Sequence, residues 1–202
     1  MTQDRAARTR ATLIRAAAVE FDRYGYAATS MNRIARSAGL STGALTFHFA
    51  RKDDLANAVV DQACRLSSGV QERALRRDPE RTPLVRLGVL VTELLRCMHE
   101  HAEVRGSVRL ELDRPDAEVT WSVRWLEAVR KLAAQAQGNG GLPRHLRPEQ
   151  IETLVRLFVF GPGSWRRDGV VPWSEYSELW ATVWEGVQGS DGPQTPGRRI
   201  QP

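Results

Sequence analysis

The sequence has few of the features that mark secreted, membrane-spanning or metal-binding proteins. It contains two cysteines, Cys64 and Cys97, which lie thirty-three positions apart without the spacing of a metal site. Both stand within helical patterns, and we interpret them as buried free thiols. The longest apolar runs fall far short of the roughly 20 residues that a helix needs to cross a bilayer, and the first five residues, MTQDR, include no apolar signal segment. We therefore expect a cytoplasmic protein with no membrane partner.

The residue constellations of common enzymes are also missing. There is no glycine-rich phosphate loop, no strand-turn-helix motif around a serine, and no cysteine with a plausible base partner. His99 and Glu103 could share a metal ion at a spacing of four residues, but two ligands make a poor site. His99 and His101 point in nearly opposite directions on a helix. We expect no metal, no cofactor and no enzymatic activity.

Alternating strand patterns are almost absent, so the sequence predicts an all-α protein. The segment 158–171 is ambiguous, but the repeat Ile151, Leu154, Val155, Phe158 has helical spacing. A chain of 202 residues with 42% hydrophobic residues can bury one good core and a small headpiece. The breakers divide it into nine predicted helices: 5–24, 30–37, 42–48, 52–76, 83–100, 103–113, 116–137, 148–161 and 174–188.

The second and third predicted helices form a helix-turn-helix. Thr29 or Ser30 can cap the first of them, Gly39 suits the left-handed conformation that ends it, and Ser41 can cap the next. The turn is too short for anything but two helices that cross steeply. The helix beginning after Ser41 is short enough to enter a DNA major groove.

Charge is concentrated beside this motif. Residues 1–52 carry nine Lys and Arg against three Asp and Glu, whereas residues 53–202 carry twenty against twenty-one. The whole basic excess therefore lies in the first quarter of the chain. A solvated basic face is the plainer interpretation of the charge alone, but beside a helix-turn-helix it indicates contact with the phosphates of double-stranded DNA.

Phe47 and Phe49 flank His48 at the end of the short third helix. Because a helical turn takes 3.6 residues, the three side chains cannot all face the same groove. We expect one phenylalanine to fill the headpiece core and His48 either to contact a phosphate or to serve a structural role.

These residues carry a resemblance. Residues 9–60 resemble the DNA-binding domain of the TetR family of transcriptional repressors, and the matching elements are Phe21-x-x-x-Gly25-Tyr26, Thr29-Ser30, Ile34-Ala35, Ala38-Gly39-Leu40-Ser41, Gly43-Ala44-Leu45, Phe47-His48-Phe49 and Lys52-x-x-Leu55. The resemblance implies a homodimer with an N-terminal three-helix DNA-binding domain (1–52). A C-terminal helical ligand-binding and dimerisation bundle (53–188) would control DNA affinity. We expect a disordered tail at 189–202.

The resemblance also assigns contacts with DNA. It places Thr29, Ser30 and Arg33 near phosphates, Thr42 and Gly43 against bases, and Thr46, His48 and Lys52 along the backbone, with Ser41 and Phe47 completing the surface. Related proteins tend to carry Lys where Thr42 stands and Tyr where Thr46 stands. Because threonine brings neither a positive charge nor an aromatic ring, these two departures imply a weaker or altered operator preference. An N-terminal arm with Arg5, Arg8 and Arg10 could follow the backbone or minor groove, or remain a solvated tail.

The predicted helix 52–76 would run about 37 Å at 1.5 Å per residue, and Leu55, Val59, Ala63 and Leu66 form its apolar stripe. A helix of this length can carry a tilt of the bundle to the DNA-binding domain. If it tilts, the two recognition helices of a dimer leave the spacing of about 34 Å that separates successive major grooves on one side of DNA.

Six tryptophans all lie after residue 120: Trp121, Trp125, Trp165, Trp173, Trp180 and Trp184. We interpret Trp121 and Trp125, four apart on one helical face, as the lining of a ligand pocket rather than as simple packing. We interpret Trp180 and Trp184 as helix packing, in a last helix whose Leu179, Val183 and Val187 indicate the seam of a dimer bundle.

The segment from Trp125 to Leu142 resembles the ligand domain of the γ-butyrolactone receptor branch of TetR regulators. The resemblance implies that Trp125 closes over a lactone, and the expected ligand-binding residues are Trp121, Trp125, Phe158 and Trp165. Two features depart from this branch. Gly141 stands where an acidic residue is usual, and 161–165 replaces a polar sequence.

The sequence thus predicts a homodimeric repressor that binds a palindromic operator and is released by a small hydrophobic effector resembling a γ-butyrolactone. One alternative is a pseudo-receptor that answers to an antibiotic or a biosynthetic intermediate. Another, of a different class, is a helical small-molecule-binding protein or enzyme with a vestigial headpiece.

Overall fold

The computed structural model describes residues 2–76, 80–118, 120–143, 145–164 and 172–189. Within these ranges it contains nine α-helices and no β-strand, which confirms the predicted all-α class. The helices are α1 (Thr2–Ala28), α2 (Met31–Ser37), α3 (Thr42–His48), α4 (Lys52–Leu75), α5 (Pro83–Glu100), α6 (Ala102–Asp113), α7 (Trp121–Gly138), α8 (Pro148–Ser164) and α9 (Trp173–Gln188). None of the helices in these ranges is long and apolar enough to cross a membrane.

Two helices start more than one residue away from the predicted position. Helix α1 starts at Thr2, so Arg5, Arg8 and Arg10 lie on its first turns and do not form an extended arm. Helix α7 starts at Trp121 instead of 116, because the chain turns after Pro115, with the amide of Ala117 donating to the carbonyl of Arg114. Both changes follow from local backbone hydrogen bonds that helical periodicity does not reveal.

The headpiece consists of α1, α2 and α3 around one apolar core. Leu13 and Phe21 from α1 meet Ile34 from α2 and Leu45 from α3, and all four side chains are buried. Phe49, just after α3, completes this core. Helix α1 therefore packs against the buried side of the helix-turn-helix, and the opposite side of α3 remains exposed.

Helix α6 joins the headpiece to the rest of the molecule by packing closely along α1. A Cβ atom added to Gly106 of α6 would lie 2.7 Å from the carbonyl oxygen of Ala18 in α1. Next to this contact, Arg105 Nε donates to Asp22 Oδ2 at 3.0 Å, and Asp22 is almost fully buried. Only a residue without a side chain allows this approach, so Gly106 lets the headpiece and the bundle share one continuous core.

Helix α9 packs against α5 within the same chain. Trp184 lies over Gly88, whose added Cβ would be 2.3 Å from the indole nitrogen, and Trp180 Nε1 donates to Thr92 Oγ1 at 3.0 Å. The two indoles stack on each other with ring centres 5.1 Å apart. These contacts confirm the predicted helix packing of this pair. The dimer seam along the last helix stays a prediction.

Two expectations fall on parts of the chain outside the described residues, namely the role of Trp165 and the tail beyond Gly189. The two cysteines are free, with Cys64 buried and Cys97 half-buried. Burial raises the pKa of both thiols, so they are poor nucleophiles at neutral pH.

Candidate DNA-binding surface and effector site

The helix-turn-helix is built by two serine caps and one glycine. Ser30 Oγ accepts from the amide of Arg33 at 3.2 Å, and Ser41 Oγ accepts from the amide of Ala44 at 3.1 Å. Gly39 adopts a φ of 67° in the turn between the two helices. These caps are the ones that the sequence predicts, and they fix the position of α3 relative to α2.

The outward face of α3 carries polar and aromatic groups. Thr42 Oγ1 donates to Asn32 Oδ1 at 3.1 Å, and Thr46 Oγ1 donates to the carbonyl of Gly43 at 3.2 Å. A Cβ on Gly43 would meet nothing nearer than Ser41 Oγ at 3.9 Å, so the backbone here is open to an approaching surface. Phe47 is 83% exposed. This face can contact base edges and phosphates without rearranging the headpiece.

Cationic groups lie beside this face. The guanidinium of Arg33 lies 4.2 Å from the centre of the Tyr24 ring and 3.8 Å from Glu20 Oε2. Arg10 lies 4.9 Å from the centre of the Phe49 ring. Aromatic support of this kind holds a guanidinium in place while leaving its N–H groups able to contact phosphate.

One of the expected DNA contacts is corrected, that of Thr29, and Lys52 makes contacts within the protein. Thr29 is 1% exposed, and its hydroxyl donates to the carbonyl of Gly25 at 2.7 Å, so it cannot reach DNA. Lys52 Nζ donates to the carbonyls of Tyr26 and Thr29 at 2.9 and 3.1 Å and lies 4.0 Å from the Tyr26 ring centre. Both residues hold the end of α1 against α4, a role that a motif match does not distinguish from phosphate contact.

Tyr26 links three helices at this point. Its hydroxyl donates to Asp53 Oδ1 on α4 at 2.8 Å, and burial together with Asp53 raises the pKa of the phenol. Its amide donates to Asp113 Oδ2 at the end of α6 at 2.7 Å. We call the contact of Gly25 and Tyr26 with Asp113 the α1–α6 joint.

The joint depends on an unusual backbone conformation. Gly25 has φ 77° and ψ 173°, and a Cβ there would lie 2.5 Å from Asp113 Oδ2. Arg109 Nε donates to Asp113 Oδ1 at 3.0 Å and orients the carboxylate. Sequence reasoning missed this joint. The glycine was visible as a breaker, but its partner lies 87 positions away from Tyr26.

The predicted pocket residues Trp121 and Trp125 lie side by side in the bundle, both fully buried, with ring centres 5.6 Å apart. Trp121 Nε1 donates to Ser67 Oγ on α4 at 2.9 Å. Trp125 Nε1 is buried and has no acceptor among the described residues. A buried donor without a partner is uncommon and costs about 1–3 kcal/mol, so Trp125 marks a place where a ligand acceptor would stabilise the protein.

A groove of about 920 Å³ runs over the other side of α7, between α6 and α8. Its apolar wall includes Leu126, Leu157 and Phe160, and its polar rim includes Glu111 and Arg156. Phe160 also contacts the indole of Trp125, at 6.5 Å between ring centres, so it separates the groove from the buried tryptophans. Sequence reasoning did not identify Phe160 as part of the site.

The rim of this groove is tied to the start of α7. Glu111 of α6 accepts from the amide of Ser122 at 3.2 Å and pairs closely with the Ser122 hydroxyl. Glu111 therefore serves as the N-terminal anchor of α7, next to Trp121. This contact connects the start of α7 directly to α6.

Phe158 lies elsewhere. Its ring packs on Trp180 at 5.0 Å and on Tyr176 at 6.0 Å, and the Tyr176 hydroxyl donates to the Phe158 carbonyl. Burial raises the pKa of Tyr176. The structure does not bring Phe158 together with Trp121 and Trp125. Phe158 and Phe160 are two residues apart and lie on nearly opposite sides of α8, so Phe158 meets α9 and Phe160 meets α7.

Comparison with known proteins identifies a matching domain and similar regulators. Residues 13–59 match the domain described as bacterial regulatory proteins, tetR family. The A-factor receptor protein of Streptomyces griseus is 28% identical over 140 residues, which cover 68% of this chain and 48% of that protein. The chain thus spans about half the length of this curated relative.

Solved structures agree over nearly the whole chain. CprB from Streptomyces coelicolor in complex with its biological operator sequence is 27% identical with a TM-score of 0.70, covering 91% of this chain and 98% of that one. A γ-butyrolactone receptor described as ArpA-like is 26% identical with a TM-score of 0.66, covering 91% and 98%. Residues 13–59 thus resemble the DNA-binding domain of tetR-family regulators, and nearly the whole chain is similar in fold to solved regulators that include a γ-butyrolactone receptor.

Proposed function

We propose that this protein is a homodimeric transcriptional repressor that binds a palindromic DNA operator and is released by a small effector. The observation that carries the proposal is the exposed, serine-capped α3 on a headpiece that holds the basic excess of the chain. Thr42, Gly43 and Thr46 contact base edges and the backbone, while Arg33 and His48 contact phosphates. CprB, which adopts the same fold, is described in complex with its operator.

The effector is a small, mostly apolar molecule with a carbonyl oxygen, such as a γ-butyrolactone. The support is the unpartnered N–H of Trp125, which would donate to that carbonyl, and the surrounding apolar side chains, which would cover an acyl chain. The molecule enters from the groove beside α7 and displaces the ring of Phe160. Binding provides an acceptor for the N–H of Trp125, which otherwise has none among the described residues. It therefore favours the arrangement of α7 and α8 in which the Phe160 ring is displaced.

The signal then passes from α7 to the headpiece. Glu111 connects the start of α7 to α6, and Asp113, two residues later, connects α6 to the backbone of Tyr26. Arg114 Nη2, also at the end of α6, lies 3.2 Å from Asp53 Oδ1 on α4. A displacement of α6 therefore moves α1 and α4 together and changes the separation of the two recognition helices. A coupling of about 1–3 kcal/mol would lower operator affinity about 5- to 150-fold.

The second copy docks on α8 and α9. Leu157 of α8 and Leu179 of α9 are 65% and 56% exposed, although the helices around them are well packed. Apolar side chains of this kind on two neighbouring helices suit a helix-on-helix dimer interface. A dimer provides the two-fold symmetry that a palindromic operator requires.

The test begins by selecting bound duplexes from random DNA and measuring affinity for the selected sequence by fluorescence anisotropy. Thr46→Asp should weaken operator binding by at least about tenfold, because it places a negative charge on the face that meets phosphates. Ser68→Asp on α4 is the matched control, since Ser68 is likewise exposed and donates to the carbonyl three residues earlier. Equal affinities of the two variants would contradict the assignment of α3.

The same assay identifies the effector. A γ-butyrolactone should release the operator from the wild-type protein. Release by an antibiotic or a biosynthetic intermediate, with no response to butyrolactones, would support the pseudo-receptor alternative, which is motivated by Thr42, Thr46 and Gly141. Failure to select any duplex at low salt, together with turnover of a bound small molecule, would favour a helical carrier or enzyme with a vestigial headpiece.

A further inference from the structure

A second cavity lies at the opposite end of α4 from the recognition helix. It occupies about 340 Å³ between the C-terminal end of α4 and the first half of α5. Arg73 is twenty-one residues after Lys52 on α4, so this end of the helix is about 32 Å from the headpiece along its axis. The cavity is therefore too distant to belong to the DNA-binding surface of the same headpiece.

The lining of this cavity is strongly cationic. It includes Glu93 and five arginines: Arg73, Arg76, Arg81, Arg86 and Arg96. We call this the arginine cavity. Residues 53–202 together carry a slight negative excess, so this grouping of five guanidinium groups runs against the composition of the bundle.

Within the arginine cavity, one carboxylate balances two of the cations. Glu93 Oε2 lies 3.7 Å from Arg73 Nη2 and pairs closely with Arg96. Arg86 Nε donates to the carbonyl of Ala74 at 2.9 Å, which fixes its guanidinium beside the end of α4. The lining therefore contains more cations than carboxylates, on side chains from both helices, and an anion placed among them is attracted.

The floor of the arginine cavity is apolar. Val70 and Ala74 from α4 and Leu90 from α5 are buried there, and Val89 lies at the edge. A cationic rim above an apolar floor suits a molecule that has an anionic group at one end and a short apolar body. Guanidinium groups bind carboxylates and phosphates through paired hydrogen bonds, and the volume is that of a small-metabolite site.

We propose that the arginine cavity binds a small amphipathic anion, in which a phosphate or carboxylate group is carried by a short apolar body. The anionic group bridges the arginines of α4 and α5, and the apolar body contacts Val70 and Leu90. Binding at this place ties the C-terminal end of α4 to α5. The proposed site shares no lining residue with the groove beside α7.

Binding is measured directly by isothermal titration calorimetry on the full chain without DNA, so the result is independent of the proposed operator function. The probes are phenyl phosphate, benzoate and the neutral analogue benzyl alcohol. Phenyl phosphate and benzoate should bind saturably with one site per chain, and benzyl alcohol should bind at least about tenfold more weakly. Benzyl alcohol binding as tightly as either anion would overturn the proposal.

A variant pair locates the site. Arg73→Gln/Arg76→Gln should weaken phenyl phosphate binding by at least about tenfold while the thermal transition of the protein stays within a few degrees. Arg65→Gln/Arg147→Gln is the matched control, because it removes the same charge from exposed positions that do not line the cavity. Equal loss of binding in both variants, or no saturable binding by the wild type, would overturn the proposal.

Discussion

Phe47 and Phe49 flank His48 but meet opposite environments. Phe49 is 3% exposed and closes the headpiece core, whereas Phe47 is 83% exposed and contacts the edge of the His48 ring at 5.2 Å between centres. An exposed phenylalanine beside a polar helix face contributes little to folding. Its position on the face of α3 suits contact with sugars or thymine methyl groups of DNA.

Replacing each phenylalanine by alanine distinguishes an effect on operator affinity from an effect on the free energy of unfolding. Phe47→Ala should leave the free energy of unfolding within about 0.5 kcal/mol of the wild type and weaken operator binding about tenfold. Phe49→Ala should lower the free energy of unfolding by about 3–5 kcal/mol because it empties a filled core. Urea denaturation and fluorescence anisotropy measure the two effects, and a Phe47→Ala protein with full operator affinity would refute the contact.

Trp125 offers a second test at the scale of one residue. Trp125→Phe keeps an aromatic ring but removes the unpartnered N–H, so the stability lost with the larger ring is offset by about 1–3 kcal/mol of relieved desolvation. Release of the operator by a butyrolactone should then require at least about tenfold more effector. The assay is an effector titration of the preformed protein–DNA complex.

The control for this variant is Trp121→Phe, which removes a hydrogen bond that the protein itself makes to Ser67. It should lower stability more than Trp125→Phe does, because the buried hydroxyl of Ser67 loses a partner. If Trp125→Phe responded to effector as the wild type does, the proposed donor role of Trp125 would be rejected.

Among the secondary-structure elements, α6 has the central position. It packs along α1 through Gly106, accepts the amide of Tyr26 at Asp113, and anchors α7 through Glu111. Each contact is directional, either a hydrogen bond or a backbone approach that tolerates no added atom. Helix α6 therefore connects the start of α7, beside Trp121, directly to the headpiece, and in the proposed mechanism the α1–α6 joint is where a displacement of α6 would reach α1.

Gly25→Ala tests this joint. The conformation at φ 77° and ψ 173° belongs to a region that residues other than glycine essentially never occupy, with strain of about 1–3 kcal/mol. The added Cβ also collides with Asp113. We expect the free energy of unfolding to fall by at least about 1 kcal/mol, measured by urea denaturation followed by circular dichroism.

Gly138→Ala is the matched control for that change. Gly138 lies at the end of α7, and an added Cβ there meets nothing within 4 Å. The free energy of unfolding should stay the same or rise by about 0.5–1 kcal/mol, because alanine favours the helix. Equal losses in the two variants would show that Gly25 has no special conformational role.

Over the whole molecule, positive charge is concentrated in the N-terminal headpiece. The headpiece segment 1–52 holds the basic excess, and the remaining 150 residues are close to neutral. If about six phosphates are neutralised in the complex, operator affinity should fall about a thousandfold between 50 and 200 mM salt. Anisotropy titrations across a KCl series measure the slope, and a slope near zero would contradict a phosphate-dominated interface.

The exposed leucines of α8 and α9 provide a test of the proposed homodimer. Leu157→Arg/Leu179→Arg should convert a dimer into monomers, since it buries charge at the proposed interface, and sedimentation velocity measures the change. Val19→Arg is the control, because Val19 is 43% exposed on α1 and lies on neither α8 nor α9. Dimers that persist in the double variant would require another interface.

Local patterns were sufficient for much of the fold and for the outline of the DNA-binding surface. The two serine caps, the glycine turn and the apolar stripe of Leu55, Val59 and Ala63 are all where periodicity and capping rules predict them. These features involve residues within a few positions of each other, so their energetics are encoded locally. The burial of Thr29, the bonds of Lys52 to carbonyls 23 and 26 positions away, and the packing of Phe158 against α9 were not predicted, because they depend on how the chain packs.

The sequence by itself determined that the chain is helical, that its first quarter carries a basic helix-turn-helix, and that its tryptophans lie in the bundle. Only the tertiary structure decided which indole N–H lacks a partner, which phenylalanine covers it, and that Asp113 closes the joint at Gly25. The reason is physical. Helix periodicity is set by neighbours three and four residues away, whereas hydrogen-bond satisfaction and close backbone approach depend on residues that meet only after the chain has packed.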